Sequence, residues 1–172
     1  MKLTHSLILT GTAAGTLGAG VPAAAQTMDV TVTIPRLTVA EYHRPYVALW
    51  LEGAGAPRTL AVWYDFDMKN NEGTKWLRDV RQWWRMAGRS MNLAADGVTG
   101  ATRAPGQQTV KFTAAQFGPI KPGQYTLVVE AAREVGGREV VRVPFAWPAK
   151  AGLTVRGTGN SELGAVSVTF GK

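Results

Sequence analysis

The amino-acid sequence predicts a mainly β protein: an Ig-like antiparallel β-sandwich of about seven strands with one inserted amphipathic helix. Three observations carry that expectation. Short segments alternate apolar and polar residues, Gly- and Pro-rich turns separate them at close intervals, and one stretch alone repeats its apolar residues at helical spacing.

The first 25 residues stand apart from this pattern. Lys2 and His5 give a short polar start, an apolar run begins at Leu7-Ile8-Leu9, and Pro22-Ala23-Ala24-Ala25 supplies a small-x-small cleavage pattern. The run is too short and too rich in Gly, Ala and Thr for a membrane span, so residues 1–25 read as a secretory signal peptide ending before Gln26. No later apolar run is long enough to cross a bilayer. Residues 26–172 are then a single β-sandwich domain in the periplasm, large enough to bury a core of its own.

Strand patterning begins at once. Val30, Val32 and Ile34 alternate with Thr31 and Thr33, and Pro35 stops the ladder. Tyr46 to Leu51 is apolar on both faces and reads as a central strand, paired in a hairpin with Leu60 to Tyr64. From Lys75 to Ala87 the period changes. Trp76, Leu77, Val80, Trp83, Trp84 and Ala87 share helical spacing, with Thr74 read as the cap and Gly88 as the stop. Trp76, Val80 and Trp83 are the expected buried stripe. No period is visible from Arg89 to Gln107, and so long a structureless connection inside a domain usually has a function. Val110 and Phe112 mark a short strand, and Tyr125 to Ala131 a longer one. Gly136-Gly137 turns that strand into Val141 to Trp147, where Pro144 indicates an edge or bulge, and Val166, Val168 and Phe170 form the last strand.

Composition removes several function classes. With no Cys there is no disulfide framework and no thiolate metal site. The formal charge is +7, but Lys and Arg are scattered rather than clustered, so the charge reads as solubility rather than nucleic-acid binding. His43 is the one His after the signal. With no Cys and no Gly-x-Ser-x-Gly elbow, a nucleophile–base pair has little to draw on, so no catalytic residue is assigned. His43 itself, beside Arg44-Pro45, reads as a turn residue. Asp65 and Asp67 at a strand end lack the spacing of a Ca²⁺ loop, and no metal site is assigned.

The aperiodic stretch contains Asp96-Gly97-Val98-Thr99-Gly100-Ala101-Thr102. It resembles the acceptor motif of periplasmic flavin transferases, Asp-x-x-Ser/Thr-Gly-Ala-Thr, in which FMN is joined through its phosphate to the hydroxyl of the final Thr. The resemblance implies a covalent FMN phosphoester on Thr102, with Asp96, Thr99, Gly100 and Ala101 as the remaining motif residues. The plain alternative is a surface turn, for which Asp, Gly and Thr are equally suited. Arg103 is either a partner for the phosphate diester or a solvated loop charge. The Trp residues read as core, although adjacent Trp83 and Trp84 differ in direction by about 100° on a helix, which leaves one of them for an isoalloxazine ring.

Further stretches widen the resemblance: Arg44 to Trp50, Lys75-Trp76-Leu77 through Trp83-Trp84, Asp96 to Pro105, Gly123 through Glu130 to Glu134, and Glu162-Leu163-Gly164. Together they resemble a family of predicted bacterial periplasmic proteins of unknown function found beside PepSY-type membrane proteins and flavin transferases. That resemblance implies an electron carrier or accessory protein serving a membrane redox or iron-acquisition system, more than a stand-alone enzyme. Its implied partners are a flavin transferase and a PepSY-type membrane protein. The rival expectation is a cofactor-free Ig-like binding module.

Overall fold

The computed structural model describes residues 27–93 and 97–172. The expected signal peptide and its cleavage site, together with Asp96, lie outside the described residues.

Among the described residues, nine strands form two facing sheets. They are β1 (Thr27–Ile34), β2 (Tyr46–Glu52), β3 (Arg58–Trp63), β4 (Thr99–Gly100), β5 (Gly106–Thr113), β6 (Gly123–Ala132), β7 (Arg138–Trp147), β8 (Thr154–Thr158) and β9 (Ala165–Gly171). One sheet has four strands in the order β5-β1-β9-β8, and the other has five in the order β4-β3-β2-β6-β7. The architecture is a β-sandwich.

Alternation in the sequence becomes the inner face of the four-stranded sheet. Met28, Val30, Val32 and Ile34 are all buried, while the Thr and Asp residues between them are half-exposed. They meet Val47, Leu49, Leu51, Leu127 and Val129 from the five-stranded sheet to make the main core. Strand β2 is buried on both faces because the five-stranded sheet is covered twice. Its outer face, through Tyr46, Ala48 and Trp50, packs with Val62 and Val128 beneath Leu77, Val80 and Trp83. The apolar run that sequence periodicity marked as central therefore is central. Pro144 lies on β7, at the sheet edge, where a missing N–H costs no ladder bond.

The structure corrects several expectations. The helix is not continuous. A helical turn over Gly73–Trp76 runs into a 3₁₀ turn over Leu77–Asp79, Val80 leaves helical geometry (φ −77°, ψ 69°), and the segment resumes as Arg81–Trp83 and a π-turn at Trp84–Gly88. This break lets Leu77, Val80 and Trp83 all reach the sheet, and it leaves Trp76 39% exposed at the rim instead of in the stripe. Thr74 is not the cap. It lies within the first turn, and its hydroxyl donates back to the Asn71 carbonyl at 2.7 Å. Gly88 does end the segment, for a packing reason, since a Cβ there would press on the rings of Trp83 and Trp84.

Strands β4 and β8 were not legible either. Two residues cannot display a period, and β8, holding Gly157, is an edge strand with no clean alternation. The stretch from Arg89 to Gln107 is consequently not structureless throughout.

What pins the broken helical segment to the sheet is Glu130 of β6, whose side chain is fully buried. It accepts the backbone N–H of Gln82 at 3.0 Å and of Trp83 at 2.8 Å, and Arg138 Nε at 2.5 Å. A carboxylate there satisfies orphan donors that no residue within the segment caps.

Candidate functional site

The acceptor-like segment is placed by a short parallel pairing. Val62 N–H donates to the Val98 carbonyl at 2.7 Å and Tyr64 N–H to the Gly100 carbonyl at 2.9 Å. The partners are Val62 with Thr99 and Trp63 with Gly100. Two residues beyond each member of the second pair stand Asp65 and Thr102, and these two meet. Thr102 Oγ1 donates to Asp65 Oδ1 at 2.7 Å, with Thr102 only 8% exposed.

Asp65 is held firmly. Its carbonyl sits against Gly73, where any Cβ would overlap it, and the Tyr46 hydroxyl lies 3.2 Å from that Cβ position. Met68 N–H also donates to the Asp65 carbonyl, at 3.4 Å. Burial, reinforced by the charge of Asp65, pushes the Tyr46 hydroxyl up to about 12. The Gly that opens the helical turn therefore serves the site, because only a residue without a side chain lets that turn close on the end of β3.

Thr102 and Asp65 line an open cleft of about 340 Å³, together with Tyr42, His43, Arg44, Trp76, Asp79 and Glu134 among others. Its size lies at the lower end of small-molecule sites, roughly 300–1,000 Å³. Trp76 brings a partly exposed indole to the wall. His43 is bracketed by two carboxylates, Glu41 at 2.9 Å from Nε2 and Glu134 at 3.5 Å from Nδ1. Burial raises the Tyr42 hydroxyl, which has no hydrogen-bond partner among the described residues. Behind the wall, Arg133 makes a two-bond pair with Glu162, at 3.0 and 3.1 Å, which holds the end of β6 in place.

The other sequence-predicted residues are distributed along this edge. Thr99 and Gly100 form β4 and are half-buried. A Cβ on Gly100 would lie 3.6 Å from Trp63 and 3.8 Å from Arg103, ordinary contacts, so the fold does not itself require glycine there. Ala101 is exposed and lines a shallow depression with Phe66 and Met68. The Arg103 guanidinium lies over the Trp63 ring, 5.3 Å from its centroid, in a cation–π arrangement. Trp83 is buried and Trp84 packs beside it, so it is Trp76 that reaches the cleft.

Sequence reasoning missed Asp65 and His43 as members of this site. His43 follows a strand-free segment of mixed apolar and polar residues and carries no pattern. Asp65 had a signal in hindsight: the first acid after an apolar strand is placed at that strand's end.

The fold and site define a β-sandwich domain with a buried Thr–Asp pair beside an open cleft. The chain belongs to the family described as "Predicted periplasmic protein (DUF2271)", whose model matches residues 27–165. No curated protein and no solved structure matches it. Its family places it in the periplasm. Among the described residues no helix is long and apolar enough to cross a membrane.

Proposed function

We propose that this protein is a periplasmic electron carrier bearing FMN as a phosphoester on Thr102, attached by a flavin transferase. It would serve a PepSY-type membrane redox or iron-acquisition system. The observation that carries this reading is the Thr102 hydroxyl itself, held by a carboxylate in the wall of an open cleft. A Thr in an ordinary surface turn has no such setting. Gly100 adds support, because glycine stands where neither backbone conformation nor space demands it. That is the behaviour of a residue read by a second protein.

The residues present fit the group. Thr102 supplies the ester oxygen, Trp76 offers a partly exposed aromatic face for ring stacking, and Arg44 lies along the same wall for the phosphate. When bound, the flavin supplies one- and two-electron transfer, and the domain supplies position and retention outside the cytoplasm. Thr102 is only 8% exposed, and the cleft that it lines is the side from which a donor reaches it.

Production of the full chain together with an active transferase, Mg²⁺ and flavin tests the reading. Intact mass should rise by one FMN less one water, and peptide mapping should place it on Thr102. Thr102→Ala should abolish the adduct. An unmodified chain, beside a control acceptor that is labelled, would favour the cofactor-free binding module instead.

A further inference from the structure

Resting on that reading, we infer that Asp65 is the proton acceptor for the attachment reaction, so that this chain brings the base for its own modification. A threonine hydroxyl is a weak nucleophile at its free pKa and needs an adjacent base. A general base must lie within about 2.6–3.2 Å of the proton it takes. Asp65 Oδ1, 2.7 Å from Thr102 Oγ1, meets that requirement before any partner arrives. His43, Asp79 and Glu134 line the same cleft, yet among the described residues Asp65 alone bonds to Thr102.

The contact is built rather than incidental. The two-residue strand β4 registers Thr99 and Gly100 against Val62 and Trp63, which sets Thr102 beside Asp65. Gly73 lets the helical turn that it opens close on the Asp65 carbonyl, which fixes the backbone that carries the carboxylate. Both residues line the cleft.

The step balances as a phosphoryl transfer. The donor class is a flavin dinucleotide, in which the FMN phosphate is activated as a pyrophosphate. Thr102 Oγ1 forms a bond to the FMN-side phosphorus, the bridging P–O bond breaks, and AMP departs with the bridging oxygen. The proton from Oγ1 passes to Asp65 Oδ1, and nothing is oxidised or reduced. Afterwards Thr102 has no hydrogen to donate, and a phosphodiester anion stands beside Asp65. The original contact cannot re-form, which disfavours the reverse approach.

The charged and titratable groups that line the cleft with Asp65 are Tyr46 from β2, Tyr42, His43 and Arg44 from the 35–45 segment, Asp79 from the helical segment, and Arg133 and Glu134 just after β6. Any of these can modulate the reaction, but only a group bonded to Oγ1 can take its proton. The test is steady-state labelling of the full chain by a flavin transferase with flavin adenine dinucleotide and Mg²⁺. Asp65→Asn keeps the shape and an accepting oxygen but is a far weaker base. It should lower kcat at least about 100-fold with KM within a factor of two, as loss of a general base does. The wild-type kcat should fall on the acid side, a limb that Asp65→Asn lacks and His43→Gln retains. Should Asp65→Asn fail to fold, Asp65→Glu against Asp65→Gln carries the same comparison, with the carboxylate variant the faster. Equal kcat for the carboxylate and amide variants in a labelled wild-type background overturns the inference alone. A wild-type chain left unlabelled beside a labelled control overturns the flavin reading instead.

Discussion

The Glu130 carboxylate accepts the backbone N–H of Trp83 at 2.8 Å, across 47 positions of sequence, inside the outer core. One buried acid thus joins the middle of a sheet to the broken helical segment where it resumes after Val80, a turn that no side chain of its own caps. The segment in turn supplies the Trp76 wall of the cleft.

Removing that acid should be costly. Glu130→Ala leaves two buried N–H groups and Arg138 without their acceptor, a loss of about 3–5 kcal/mol. Glu130→Gln keeps one accepting oxygen and should lose less. Urea unfolding of the two variants measures the difference, and a neutral Ala substitution would show that the segment is held by apolar packing alone.

The aromatic residues separate by exposure. Trp83 is fully buried, so Trp83→Ala should cost about 3–5 kcal/mol. Trp76→Ala, at the exposed rim, should cost within about 1 kcal/mol. Denaturant midpoints for the pair decide the matter, and equal losses would contradict the break at Val80 that sends them to different surroundings.

Tyr46 makes stability depend on alkaline pH. Its hydroxyl is held at about 12, against 10.0 for a free tyrosine, chiefly by burial and then by Asp65. The folded state therefore keeps the proton more tightly than the unfolded chain. The associated stability is fully present below pH 10 and is lost as pH rises toward 12, on the order of 3 kcal/mol in all. Tyr46→Phe should flatten that part of the curve. Unfolding midpoints between pH 8 and 12 for both proteins test it, and parallel curves would count against the assignment.

The glycines near Thr102 should behave oppositely. Gly73→Ala drives a Cβ into the Asp65 carbonyl and should destabilise the fold. Gly100→Ala meets only ordinary contacts and should change stability by less than about 1 kcal/mol. If Gly100 is read by a transferase, the same substitution should nonetheless depress labelling of Thr102. Thermal unfolding and intact mass on one preparation separate the two effects, and full labelling of Gly100→Ala would remove Gly100 from the recognition motif.

Much of the sandwich was legible because burial writes itself into period. The two-residue alternation of β1 and the doubly apolar run of β2 each report how many of their faces are covered, and both were read correctly. Helical spacing from Lys75 to Ala87 located the outer layer, yet it assumed one unbroken register. With the break at Val80, Trp83 is buried as expected while Trp76 lies at the exposed rim.

The sequence by itself determined where seven of the nine described strands lie, which run is central, and that the long interval after the helical segment carries a motif ending in Thr102. Tertiary structure alone decided that Thr102 meets Asp65. Those residues are 37 positions apart, and they are joined by a parallel pairing of two residues, too short to leave any pattern. Periodicity records the average environment of an element, whereas a hydrogen bond between two loops depends on the register of strands that the sequence does not pair in advance.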